Sequence, residues 1–157
     1  MDQPKLQVPE SHRDLLERAL IAHVATVRAN GAPMSNPMWF DWDGERIRLT
    51  HTRTREKFRN LQAEPRVALS ITDPAESQRY LEVRGVVEST DDDGGGNFYR
   101  QLRRRYGVDP DAPMPDEAVR VVVVIRPTVL LARSPATAEG PPAIERVTGG
   151  SHTVFRP

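Results

Sequence analysis

Residues 23–52, HVATVRANGAPMSNPMWFDWDGERIRLTHT, decide the fold, because they read as three extended segments separated by two tight turns. His23 to Ala29 alternates apolar and polar residues. Asn30-Gly31 is a strong hairpin signal, since these two residue types accept the left-handed backbone that short turns demand. Pro33 to Asp43 then places Met34, Asn36, Met38, Phe40 and Trp42 on one face. Asp43-Gly44 makes a second hairpin, and Glu45 to Thr52 a third strand in which Ile47, Leu49 and His51 oppose Arg48, Thr50 and Thr52. The result is an antiparallel meander. Pro33 and Pro37 cannot donate to a ladder, so the middle strand must be irregular, bulged or at a sheet edge, which frees backbone groups for a ligand.

Outward from the meander, Ser11 to Leu20 has the pattern of a short helix, capped by Ser11 and apolar at Leu15, Leu16, Ala19 and Leu20. On the other side, Arg66 to Thr72 is nearly all apolar or small, as in a central strand, and Tyr80 to Thr90 alternates. Asp91 to Gly96 is an acidic, glycine-rich loop. A helix over Asn97 to Tyr106, a Pro-rich linker and the strand AVRVVVVIRPTVLLAR (118–133) follow. Six mostly antiparallel strands with short flanking helices fit a small barrel better than an open sheet, because closure disposes of edge strands. The chain therefore reads as one domain over residues 1–133. Residues 134–157, rich in Pro, Gly, Ala and Thr and without periodicity, are expected to be an irregular or disordered tail, or one laid across another surface.

Composition excludes several function classes. In 157 residues, 22 Lys and Arg balance 22 Asp and Glu, so no overall field points to nucleic acid or an anionic membrane. There is no cysteine, hence no disulfide, thiolate nucleophile or cysteine metal site. No signal peptide and no run of 18 apolar residues is present, which makes a soluble cytoplasmic protein the expectation. His12, His23 and His152 are too scattered for a metal site, and Asp91, Asp92 and Asp93 lack calcium-loop spacing. No Ser-His-Asp order suggests a hydrolytic triad.

One segment does carry a chemical signal. Residues 50–60, THTRTREKFRN, place Arg53, Arg55, Lys57 and Arg59 around a single Glu56, where a strand turns into a short helix that Pro65 ends. Thr54 is the expected N-cap. At 100° per residue Lys57 lies near the side of Leu61, at the edge of the buried stripe, while Arg55 and Arg59 share another face. A lysine there needs a partner, and the helix N-terminus offers unpaired N–H groups that attract phosphate. The competing interpretation is a solvated charged face.

The succession from His23 to Asp73, followed by LEVRGVVE (81–88), resembles the split β-barrel flavin and deazaflavin proteins of the pyridoxamine 5′-phosphate oxidase-like superfamily. It is most similar to actinobacterial oxidoreductases that use coenzyme F420, a deazaflavin. The resemblance covers roughly residues 10–130. Its most specific parts are ATVRANGAPMSNPMWF (25–40) and the R-x-K-x-R-N-L run (55–61) with PRVAL (65–69) after it. It implies a mostly β fold, a six-stranded antiparallel split β-barrel with short helices, forming a homodimer with the cofactor between the subunits. It implies that Arg55 and Lys57 grip the cofactor's phosphate, with Thr50 donating a hydroxyl and Asn60 supporting the loop or ligand. Ser35, Asn36, Pro37 and Met38 would lie along the ring. The implied activity is hydride transfer between F420 and an unsaturated small molecule. FMN, whose phosphate would suit the same motif, is the alternative cofactor, and a non-enzymatic flavin or deazaflavin carrier is the alternative class. No catalytic residue is assigned. Trp39, Trp42, Tyr80, Tyr106 and His51 are expected to serve packing.

Overall fold

The computed structural model describes residues 4–156 and shows a mostly antiparallel β fold of the split-barrel type. Its strands are β1 (Ala22–Val27), β2 (Pro33–Met38), β3 (Phe40–Trp42), β4 (Ile47–Thr52), β5 (Arg66–Asp73), β6 (Glu76–Asp92) and β7 (Arg120–Ser134), followed by β8 (Ala143–Thr148) and β9 (Ser151–Phe155). Three helices accompany them, α1 (Asp14–Glu17), α2 (Glu56–Ala63) and α3 (Asn97–Arg105). The strands run in the order β2-β1-β5-β6-β7-β4-β3, with β8 and β9 added beside β7. The sheet is not closed by hydrogen bonds: β2 and β3 are its two ends.

The meander forms where alternation and turns place it. Gly31 takes φ +84° at the end of a three-residue loop, closed by the Arg28 N–H on Ala32 O at 2.9 Å. Gly44 takes φ +99° beside Asp43, whose carboxylate accepts the N–H groups of Glu45 and Arg46 at 2.9 and 2.7 Å. The proline-bearing segment is indeed an edge strand, and it breaks at Trp39. Val24, Phe40, Ile47, Leu49, Leu69, Leu81, Val83, Val123 and Ile125 fill the interior beneath Leu15 and Leu16. In β6, Gly85 sits at a register shift, where a Cβ would lie 2.6 Å from the Arg126 carbonyl oxygen.

Three local expectations are corrected. The helix expected over Ser11 to Leu20 is only the single turn α1 after a 3-10 turn at Glu10–His12, and Ser11 does not cap it. The reason is tertiary: Arg105 donates to the carbonyls of Leu16, Glu17 and Arg18 at 3.0, 3.1 and 2.8 Å, satisfying them so that the chain turns extended at Arg18 and enters β1. Thr54 does not cap α2 either. Arg55 holds the cap position without a side-chain bond, and the Thr54 hydroxyl turns toward Thr52 Oγ1 at 3.4 Å. The tail is not irregular throughout. Residues 143–148 pair with Val129–Ser134 of β7 and, through a Gly149-Gly150 turn, with β9. Val147 is buried in the core, whereas β9 is exposed along its length. The broken middle strand and the tail hairpin account for the strands beyond the six expected.

Candidate functional site

The break at Trp39 creates the site. β2 pairs with β1 as far as Met38, after which the chain changes partner and β3 pairs with β4, beginning at Phe40 opposite Leu49. Beyond Leu49 the segment Thr50–Thr52 therefore has β7 on one side and no β3 ladder on the other. A cleft of about 760 Å³ opens along this free edge. It is lined by Asn36, Pro37, Met38 and Trp39, by Thr50, His51 and Thr52, by Arg55, Glu56 and Lys57 at the start of α2, and by Ile21, Tyr99 and Arg120.

Of the residues singled out in the sequence, Asn36, Pro37, Met38, Thr50, Arg55 and Lys57 meet here. Ser35 and Asn60 do not. Ser35 is exposed, on the face of β2 opposite Met34 and Asn36, and does not line the cleft. Asn60 is buried one turn along α2, with its amide 3.4 Å from the Met34 sulfur.

The cations of residues 53–59 sort into two groups. Arg53 leaves the cleft to pair with Asp92 at 2.9 Å, and Arg59 is exposed. Arg55 does not share a face with Arg59, because it precedes the helix in extended conformation and joins Lys57 in the cleft. Glu56 is drawn away by Arg28 at 3.0 Å. Among the described residues, neither Arg55 nor Lys57 makes an ion pair, and the nearest polar contact of Lys57 Nζ is the Met38 sulfur at 3.3 Å. Burial, and then the neighbouring Arg55, hold the Lys57 pKa below its ordinary value. Arg120, by contrast, is compensated: its guanidinium donates to both Asp116 carboxylate oxygens at 3.0 and 2.8 Å, reaches Thr50 Oγ1 at 3.3 Å, and lies 3.9 Å from the Tyr99 ring centre.

The other wall is aromatic. Trp39 stacks on Tyr106 at 4.8 Å and 9°, with Tyr99 at 6.4 Å. The Tyr106 hydroxyl donates to Leu20 O at 2.6 Å and accepts the Phe40 N–H at 3.1 Å, bracing the chain just after the break. Tyr106 is structural, as expected, while Trp39 also borders the cleft.

His51 is buried at the cleft floor. Its Nδ1 accepts the Thr52 N–H at 2.9 Å, and burial, reinforced by Lys57, Arg55 and Arg120, lowers its pKa to about 4. The ring is therefore neutral at physiological pH.

The cleft thus joins two uncompensated cations and an uncapped helix start to an apolar, aromatic wall. Its lining holds no cysteine or serine, and among the described residues no group of three His, Asp or Glu side chains could hold a metal. Such a donor set suits an anionic group tethered to a planar ring. Arg120, Tyr99 and Ile21 were not visible as site residues, since only the register Thr52 to Arg120 and the docking of α3 bring two of them here. No helix among the described residues is long and apolar enough to cross a membrane.

Residues 8–133 match the family model of pyridoxamine 5′-phosphate oxidase. A solved structure named F420 reductase is 51% identical, with TM-score 0.76 over 78% of this chain and 98% of its own. PhzG from Burkholderia lata 383, solved with tetrahydrophenazine-1-carboxylic acid, is 13% identical with TM-score 0.66, covering 94% of this chain and 88% of its own. The heme storage protein HutZ from Vibrio cholerae is 18% identical with TM-score 0.58, covering 77% and 90%. These last two share the fold. Among curated proteins nothing matches.

Proposed function

The chain belongs to the pyridoxamine 5′-phosphate oxidase family, and from that premise we propose that it is an oxidoreductase that binds coenzyme F420 and transfers a hydride between it and an unsaturated small molecule. The observation that carries this reading is the presence of Arg55 and Lys57, both without a carboxylate partner among the described residues, at the head of an uncapped helix in one cleft. The 51% identity to an F420 reductase supports the deazaflavin over FMN. A half-buried lysine with no counter-ion is costly, and a phosphate offsets that cost through charge-assisted hydrogen bonds.

Arg55 and Lys57 hold the phosphate together with the first-turn N–H groups of α2. Thr50, fixed by Arg120 on its oxygen, offers its hydroxyl proton to the ligand, and Asn36 orients the ring while Pro37, Met38 and Trp39 exclude water from it. When bound, the deazaflavin supplies the hydride at the central carbon of its ring. Protonation of the substrate can come from solvent, since Glu56, the carboxylate on the cleft lining, is turned to Arg28. The working assembly is a homodimer with the ligand in the groove between subunits.

Fluorescence titration of the purified protein with F420 and with FMN tests the cofactor assignment. The expected result is tighter binding of F420, and a colourless protein from a host that lacks it. A yellow preparation with stoichiometric FMN would make the protein an FMN enzyme of the same fold. Retention of F420 without turnover across a broad panel of electron acceptors would make it a carrier.

A further inference from the structure

His51 deserves a role beyond packing, for a reason that lies in its tautomer. Arg53 N–H points to the β7 side, where it bonds the carbonyl of Val119, the residue just before β7, at 3.0 Å, so strand alternation turns the Thr52 N–H away from β7 toward the free edge of β4. That N–H would be unsatisfied at the edge, and His51 Nδ1 accepts it at 2.9 Å. An atom that accepts an N–H carries no proton of its own, and the ring's carbon atoms cannot replace it. The proton of the neutral imidazole is thereby fixed on Nε2. Among the described residues Nε2 has no hydrogen-bond partner, yet it is not among the sealed-off unsatisfied atoms, and the residue borders the cleft.

We propose that His51 is a ligand-binding residue, a neutral Nε2–H donor held in one tautomer for an uncharged acceptor atom, the carbonyl oxygen or ring nitrogen of a heteroaromatic ligand. This rests on the cofactor reading above and adds what the ring end of the cleft recognises. The cleft divides its tasks by charge. Arg55 and Lys57 meet the anionic group, and their presence, with that of Arg120, opposes protonation of His51. Glu56, the carboxylate on the cleft lining, is exposed and turned to Arg28, so it does not offset them. A donor that stays neutral pairs with a neutral acceptor without the desolvation cost of a second buried charge. Deazaflavin and flavin rings both present acceptors of this class.

Two measurements test the proposal. In the protein without added ligand, long-range proton-nitrogen NMR of labelled histidine should show one ring, lost in His51→Phe, with Nε2 protonated, Nδ1 bare and no titration between pH 5.5 and 8. A signal showing Nδ1 protonated, or a ring titrating near pH 6.5, overturns it. In fluorescence titrations with F420, His51→Phe should bind roughly tenfold or more weakly than the parent, and His51→Gln, which keeps a donor, should recover part of that loss. Parent and His51→Phe binding equally would leave the cofactor reading intact and overturn this inference alone. A parent protein that binds neither F420 nor FMN overturns both. Should His51→Phe fail to fold, the NMR result on the parent and the affinity of His51→Gln still decide.

Discussion

Lys57 separates the competing accounts of this chain at the level of one residue. If it holds a phosphate, Lys57→Ala removes a charge-assisted contact worth about 1.5–3 kcal/mol, a loss of roughly 10- to 150-fold in affinity. Folding should not suffer, since the lysine is half-buried, without an ion pair and depressed in pKa, so its removal leaves the melting temperature unchanged or raised. Arg53→Ala is the control, because its pair with Asp92 is exposed and outside the cleft. Equal and small effects of the two substitutions on F420 titration would return the segment to a solvated face. This part of the site was legible because it is local, a strand end and one helical turn, whereas Arg120 reaches Thr50 across 70 residues and left no local mark. His51 supplies a second test. Its folded pKa of about 4 lies below the ordinary 6.5, so the unfolded chain binds the proton more readily. Its contribution to stability is full above about pH 6.5 and is lost as pH falls toward 4, a change of order a few kcal/mol. Urea midpoints of the parent should fall across that window, and those of His51→Phe should fall less. Equal slopes would remove the buried neutral histidine as the cause.

At the scale of elements, α3 shows how a segment far from the cationic motif shapes the cleft. The buried Asp93 accepts the N–H groups of Phe98 and Tyr99 at 3.1 and 3.2 Å and so caps the helix from outside it. Capping keeps Tyr99 under Arg120 and Tyr106 against Trp39. Asp93→Ala should therefore cost about 1–2 kcal/mol in denaturant unfolding and also weaken ligand binding, although Asp93 does not line the cleft. Lost stability with unchanged affinity would show that α3 is not needed to hold the aromatic wall. The element boundaries explain what the sequence conceals. The α3 pattern is carried by its own residues, and the helix ends at Arg105, one residue before the end its sequence predicts. α1 is cut short by a guanidinium from α3, a tertiary effect, and Thr54 loses its cap role to the hydroxyl of Thr52 two residues before it, a local competition between side chains. The β8-β9 hairpin escaped because its short strands are poorly buried and lie beside a Pro-rich stretch, so that only Gly149-Gly150 marked the turn.

For the whole molecule, the open edge of β4 is both the source of the site and the reason to expect a second subunit. The cleft follows from the topology: one strand changes partner at Trp39, and no strand among the described residues fills the gap left between β2 and β4. That antiparallel order was legible from turns and alternation, while the location of the gap was not, because nothing in Trp39 itself announces a change of partner. A planar ring seated in the gap would still expose one side, and the cleft rim carries Ile21, an exposed apolar residue. A second copy laid over the rim would cover both, and two-fold symmetry would then produce two equivalent sites. Analytical ultracentrifugation should accordingly show about twice the chain mass. Because a shared site ties binding to assembly, affinity for F420 should fall when the protein is diluted below the concentration at which the dimer separates, and added F420 should favour the dimer. A species of single-chain mass that binds F420 with undiminished affinity would place the whole site within one subunit. The exposed side of the ring would then be where the substrate approaches from solvent.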